Sequence, residues 1–236
     1  MSWALVTLVT VLGVSQVPGR GDPARPESAV VRGKKLFYDA GLGQSGQSCA
    51  HCHATVEDEA SQGDGLVRAG HTLANVAGRA SWRGDARRMS YPTLRRALEA
   101  CADVFQGASL APDDAARLVS FLESISPKRG LPPLVVQPSL APDLDYDRDE
   151  FRGGDAAAGR ATFFAACHAC HPSGGPGIGP TLRGLAPAAI AAGAREGNGL
   201  MRGTRAPGRY AAFFGKDRLR DRDLADVIAF LATLER

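Results

Sequence analysis

At 236 residues the chain is long enough for two domains of ordinary small size, each with its own core. Hydrophobic residues make up 44% of it but aromatics only 6%, so each half has a thin core unless something bulky and apolar fills it. The formal charge of +3 falls far short of the dense Lys/Arg stripe that nucleic-acid binding needs, and that class of partner is set aside.

The chain opens on Trp3–Val14, a mostly apolar run of twelve residues, too short for the roughly 20 that span a bilayer. Residues 1–27 therefore read as a signal peptide and leader, with Trp3–Val14 as its h-region. No Lys or Arg precedes the run and no small-x-small cleavage site follows before Gly19-Arg20-Gly21, so the alternative is an uncleaved N-terminal anchor, the chain's one expected link to a membrane. Either way the remainder is exported, to the periplasm or an equivalent compartment that permits oxidative cysteine chemistry.

Residues 28–126 form a first domain. A helix is expected over Val30–Tyr38, followed by Cys49-Ala50-His51-Cys52-His53. Further on come Gly70-His71-Thr72-Leu73, then an arginine-rich stretch containing Arg79, Arg83, Arg87, Arg88, Arg95 and Arg96. Ala115, Leu118, Val119, Leu122 and Ile125 repeat at i, i+3, i+4, i+7 and predict a closing helix, with Pro112, Asp113 and Asp114 suited to its N-terminus.

Residues 127–151 read as a linker. Pro127, Pro132, Pro133, Pro138 and Pro142 exclude a helix and favour an extended tether. Its acidic end, Asp143 to Glu150, lacks the Gly and Glu that a calcium loop needs at its sixth and twelfth positions, where Arg148 and Gly154 stand, and reads as solvated.

Residues 152–236 repeat the plan: a helix over Ala156–Ala165, Cys167-His168-Ala169-Cys170-His171, Gly179-Pro180-Thr181-Leu182, and a closing helix with Leu224, Val227, Ile228, Leu231 and Leu234 on one face after Asp221 and Asp223. Residues 195–222 carry eight Arg/Lys against three acids, a basis for docking an acidic redox partner, with solvated surface charge as the alternative. The two motifs are offset by 118 residues, whereas the segments after them are offset by 109. The difference of nine is one insertion, between His53 and Gly70, in a duplicated architecture.

Both pentapeptides are C-x-x-C-H. Two thiols one helical turn apart can add to the two vinyl groups of a haem, and the adjacent His is then placed to ligate iron. A four-cysteine zinc site wants its C-x-x-C halves roughly 15–20 residues apart, and neither disulfides nor a redox C-x-x-C require the following His. The expected cofactors are two covalently bound haem c, attached at Cys49, Cys52, Cys167 and Cys170 with His53 and His171 as iron ligands.

On these motifs the sequence resembles the class I cytochrome c family twice over, across residues 28–126 and 152–236, the second copy more closely. The resemblance implies an all-α fold of two tandem cytochrome c-like domains joined by the Pro-rich linker. It also implies a distal ligand, usually Met, from the loop before the last helix. Where the family places that Met, near Ala211 and Ala212, this chain has none. Met201 is the expected distal ligand of haem 2, against an open site or Tyr210, and a Met that only fills a core gap is the plain alternative. For haem 1, Cys101 aligns with Tyr210 and is favoured over Met89 and over His71, which aligns with Pro180 on the proximal side. Leu98-Glu99-Ala100-Cys101 resembles the Cys-bearing stretch of sulfur-oxidising cytochromes with His/Cys-ligated haem. The alternative for this odd cysteine is a small buried hydrophobe.

The expected function is electron transfer between exported redox proteins. The competing readings are a haem enzyme acting on a small substrate such as thiosulfate or peroxide, the latter drawing on Asn75-Val76 and the Arg79–Asp85 stretch, and a cytochrome subunit of a larger oxidoreductase.

Overall fold

The computed structural model describes residues 27–57, 64–82, 90–133, 151–196 and 213–234. Seven α-helices lie among them: α1 (Ala29–Tyr38), α2 (Cys49–Cys52), α3 (Leu94–Cys101), α4 (Pro112–Ser124), α5 (Ala156–Ala166), α6 (Pro187–Glu196) and α7 (Asp221–Thr233). The described residues contain no strand, only isolated bridges pairing Arg79 with Leu131 and Trp82 with Tyr91.

The four helices expected from periodicity begin where their caps dictate. Ser28 Oγ accepts from Val31 N–H at the start of α1, and Asp155 accepts from the Ala157 and Ala158 N–H groups at the start of α5. Helix α4 starts with Pro112 in its first turn followed by Asp113 and Asp114, and α7 starts with Asp221 and Asp223, so carboxylates face the positive end of each helix dipole.

In each half the first and last helices cross at a glycine. A Cβ on Gly33 would overlap the Arg117 carbonyl, and one on Gly159 would overlap the Asp226 carbonyl. Helical glycine costs about 1 kcal/mol relative to Ala, and here it permits backbones to touch at the crossing. One turn on, Phe37 packs on Phe121 with ring centroids 5.4 Å apart, and Phe163 packs on Phe230 at 5.3 Å. These pairs anchor two separate cores. One gathers Phe37, Val76, Leu94, Leu118, Phe121 and Leu122; the other gathers Phe151, Phe163, Ile190, Leu219 and the inward face of α7.

Two helices, α3 and α6, lack a counterpart in the periodicity reading. Thr93 caps α3 by accepting from Arg96 N–H, and α6 starts on Pro187. The ends of the proline-rich segment belong to the cores that they adjoin. Leu131 N–H donates to Gly78 O and Leu131 O accepts from Ala80 N–H, and Lys128 N–H donates to Asn75 Oδ1, while Phe151 is fully buried in the second core. Residues 134–150, with the acidic stretch, lie outside the described residues.

A further offset separates the halves. Phe37 and Phe163, equivalent by packing, are 126 residues apart, against 118 for the motifs. The first half therefore carries eight extra residues between its first helix and its motif, besides the nine that follow the motif. Apolar periodicity cannot register that loop, because residues 39–48 hold no helical pattern.

Candidate functional site

The first motif is a single helical turn. Ser48 precedes it, with its N–H donating to His51 Nδ1 at 2.9 Å and its Oγ 2.8 Å from the same nitrogen, so His51 serves the cap. The next histidine leaves the turn with its N–H bonded to Cys49 O at 2.9 Å. The His53 Nδ1 lies 2.7 Å from His71 O. A carbonyl only accepts, so Nδ1 carries the proton and Nε2 keeps a lone pair for a metal. Gly70 lies against the ring so closely that a Cβ there would overlap it.

The second motif repeats this with different surroundings. Cys170 N–H and His171 N–H both donate to Cys167 O, at 3.1 and 2.9 Å, in a turn that follows α5. The His171 Nδ1 lies 2.7 Å from Pro180 O, and a Cβ on Gly179 would overlap the His171 ring. His168 accepts from Ser173 N–H and stacks on Phe164 with centroids 4.6 Å apart, so it too has a structural task.

Burial pushes both motif-ending imidazoles below the ordinary histidine range, opposed by the bond each makes to a carbonyl. Both are therefore neutral at pH 7 with Nε2 unprotonated. Burial, reinforced by the neighbouring Cys170 thiol, pushes Cys52 and Cys167 up to about 12, and it raises Cys49 and Cys170 as well. All four are thiols at neutral pH. None of the five cysteines is disulfide-bonded, and among the described residues no three His, Cys, Asp or Glu side chains gather to hold a bare metal ion.

Each motif thus offers two neutral thiols one turn apart and an oriented imidazole with its lone pair available. That donor set fits a covalently held haem: S–H adds across each vinyl group to give a thioether, and the imidazole ligates iron.

Residues 156–235 match the family model described as Cytochrome c. The match supports a c-type cytochrome. It implies covalently bound haem c and a haem-based role in electron transfer. No curated protein matches the chain at a significant level. Among the described residues no helix is long and apolar enough to cross a membrane.

Within the matched stretch, Arg195 is a residue that sequence reasoning misplaced. Assigned to a basic docking patch, it is only 3% exposed. Its guanidinium donates to the carbonyls of Phe214 and Leu219, at 3.0 and 2.7 Å, and to Asp221 Oδ1 at 2.6 Å. It ties the end of α6 to the approach to α7. Burial alone would raise Asp221, but hydrogen bonds from Lys216 and Arg195 hold its carboxyl below the usual range. Arg220 and Arg222 from the same stretch pair with Asp223 and Asp226.

The sequence-derived distal ligands divide. Met89, Met201 and Tyr210 lie outside the described residues. His71 sits on the proximal side, its carbonyl taken by His53 and its Nε2 lying 2.7 Å from Asp217 Oδ2. Cys101 ends α3, in register with the buried Leu94 and Ala97 and with the core-packed Leu98. A wider π-turn, Ala102–Gln106, follows it directly, a geometry that recurs at functional sites because it shifts the side-chain register. Asn75, considered for a peroxidase-like site, is spent on structure: Nδ2 donates to Glu57 and Oδ1 accepts from Lys128 N–H.

The π-turn delivers a residue that no local pattern singles out. Gln106 is buried, and its Nε2 donates to Cys49 Sγ at 3.4 Å. Its Oε1 is buried with no hydrogen-bond partner among the described residues, and Ser45 N–H, from the eight extra residues, donates to its main-chain carbonyl.

Proposed function

We propose that the chain is a di-haem c-type cytochrome that transfers electrons between redox proteins in the periplasm or an equivalent exported compartment. The observation that carries this reading is the repetition of one local geometry. In both halves a C-x-x-C-H turn ends on a histidine whose Nδ1 faces a carbonyl from the segment after the motif, at 2.7 Å each time, with a glycine against the ring. The family match covers the second half, and the first half repeats its site.

When bound, haem supplies a one-electron iron couple whose potential depends on the axial ligands and their surroundings. The residues of this chain set those conditions. Cys49, Cys52, Cys167 and Cys170 form the thioethers, and His53 and His171 are held as neutral proximal ligands by His71 O and Pro180 O. The inward register of Cys101 supports it as the distal ligand of the first haem, where a thiolate would lower the potential; Met201 on the second would raise it. Two separated potentials suit a relay. The arginines at 83, 87, 88, 202, 205 and 209, all outside the described residues, supply the proposed contact with an acidic partner.

Potentiometric titration followed optically tests the reading. Two centres with distinct potentials and low-spin spectra are expected, whereas a single centre removes the di-haem assignment and a high-spin centre points to substrate chemistry instead. Cys101→Ser should alter the optical and paramagnetic signature of the first haem alone, and Met201→Ala should abolish the weak near-infrared sulfur-to-iron band of the second. An unchanged spectrum in either variant removes that ligand.

A further inference from the structure

The nine-residue insertion after the first motif does more than lengthen a loop. Residues 64–71, on its C-terminal side, run between the two halves and bond to the first attachment motif and to the helix that leads into the second. Arg68 Nε donates to Ala50 O at 3.0 Å, inside the first motif, while the same guanidinium is fixed by Asp64 at 2.7 Å. The neighbouring Val67 N–H donates to Ala165 O at 2.9 Å, two residues before Cys167. Two further bonds return from the second half: Arg218 Nε donates to Arg68 O at 3.0 Å, and Asp217 Oδ2 lies 2.7 Å from His71 Nε2. Phe105, in the π-turn, adds a ring contact to Phe213 with centroids 6.2 Å apart.

We infer that residues 64–71 are a clasp, seated on Asp217 and Arg218, that locks the two haem-attachment motifs side by side and makes the two halves one rigid electron-carrying unit independent of the linker. The inference rests on the di-haem reading. Three features point to a built contact. The Arg218 residue is only 9% exposed, and its guanidinium is spent on a main-chain carbonyl rather than on solvent. Arg68 grips the interior of one motif with its side chain while its own carbonyl holds the other half. The carbonyl of His71 orients the proximal histidine of the first site while its ring engages the second half, so the interface and the ligand shell share a residue. Reduction of either bound iron would add one electron with no bond made or broken, and in a locked pair that charge would act across a fixed separation. Each reduction should therefore shift the potential of the other centre.

The residues that hold the clasp from the second half, Asp217 and Arg218, are positioning residues. The test uses the full-length holoprotein with a protease recognition sequence placed between Gln137 and Leu140. After cleavage the halves should still co-elute on gel filtration at micromolar concentration, with the two potentials unchanged. Asp217→Ala with Arg218→Ala should weaken the association of the cut halves at least tenfold while haem content stays at two per chain. Val67→Pro, which deletes the donor to Ala165 without touching a side-chain pair, should act in the same direction and guards against misfolding of the double variant. Halves that separate after cleavage while carrying one haem each overturn the clasp and leave the di-haem reading standing. Co-elution undiminished in both variants also overturns it. A cleaved protein with a single haem removes the di-haem reading itself.

Discussion

The two halves share their frame and differ in what covers it. The glycine crossings, the phenylalanine pairs beside them and the histidine-to-carbonyl bonds recur at equivalent places. Around the first motif, however, eight residues before it and nine after it have been added, and together with the π-turn they enclose it: Gln47 reaches Cys52, Gln106 reaches Cys49, and Arg68 reaches Ala50. Among the described residues the second motif has no such cover. It sits instead over a larger apolar core braced by the buried Arg195. Elements that must pass within contact distance of a backbone or an imidazole cannot change without a clash, whereas loops at the rim can lengthen at small entropic cost. In this chain the loop added after the first motif has become the interface.

The sharpest way to break the comparison is to remove one attachment site at a time. Cys49→Ala with Cys52→Ala, and separately Cys167→Ala with Cys170→Ala, should each lower the haem content from two to one per chain, measured by mass spectrometry and by pyridine haemochrome spectra. If either pair leaves the content unchanged, the two sites are not equivalent.

Next in size is the brace peculiar to the second half. Arg195→Ala strips two carbonyls and Asp221 of a buried charged partner and should destabilise that half by on the order of 3 kcal/mol in denaturant titration. The same brace carries a pH dependence. The Asp221 and Asp223 carboxyls are held below the usual range in the folded state, the latter chiefly by its hydrogen bond from Arg220, so their stabilising effect is complete above the unfolded carboxylate pKa and is lost as pH falls through the depressed folded values. Acid titration of the wild type should therefore show the second half losing stability on acidification, and Asp221→Asn should flatten that limb of the curve. A curve as steep in the variant as in the wild type would count against the assignment.

The shared crossing gives a smaller and symmetrical effect. Gly33→Ala and Gly159→Ala should each cost about 2 kcal/mol, because the added methyl meets a carbonyl that cannot retreat; a variant as stable as the wild type would show that the helices in that half stand further apart. The smallest effect is expected at Gln106. An unsatisfied buried acceptor costs about 1–3 kcal/mol, so Gln106→Leu should leave stability of the first half equal or slightly higher. A clear loss would mean that Oε1 finds a partner in the haem-loaded protein.

Much of this molecule is visible in the order of its residues. The two C-x-x-C-H motifs, the apolar stripes of α4 and α7 and the capping carboxylates before them are local patterns, and each is set by chemistry acting within a few residues: thiol spacing, a 3.6-residue period, a helix dipole. The nine-residue insertion was also countable. Tertiary structure decided the rest. Arg195 looks like any surface arginine until α6 and α7 close around it, and Gln106 reaches Cys49 only because a π-turn shifts the register after Cys101. The role of Val67 and Arg68 depends on the carbonyls of Ala50 and Ala165 and on the guanidinium of Arg218, brought near by folding alone. Such contacts join positions separated by tens to more than a hundred residues, and no local pattern encodes a meeting that depends on how two helical units pack.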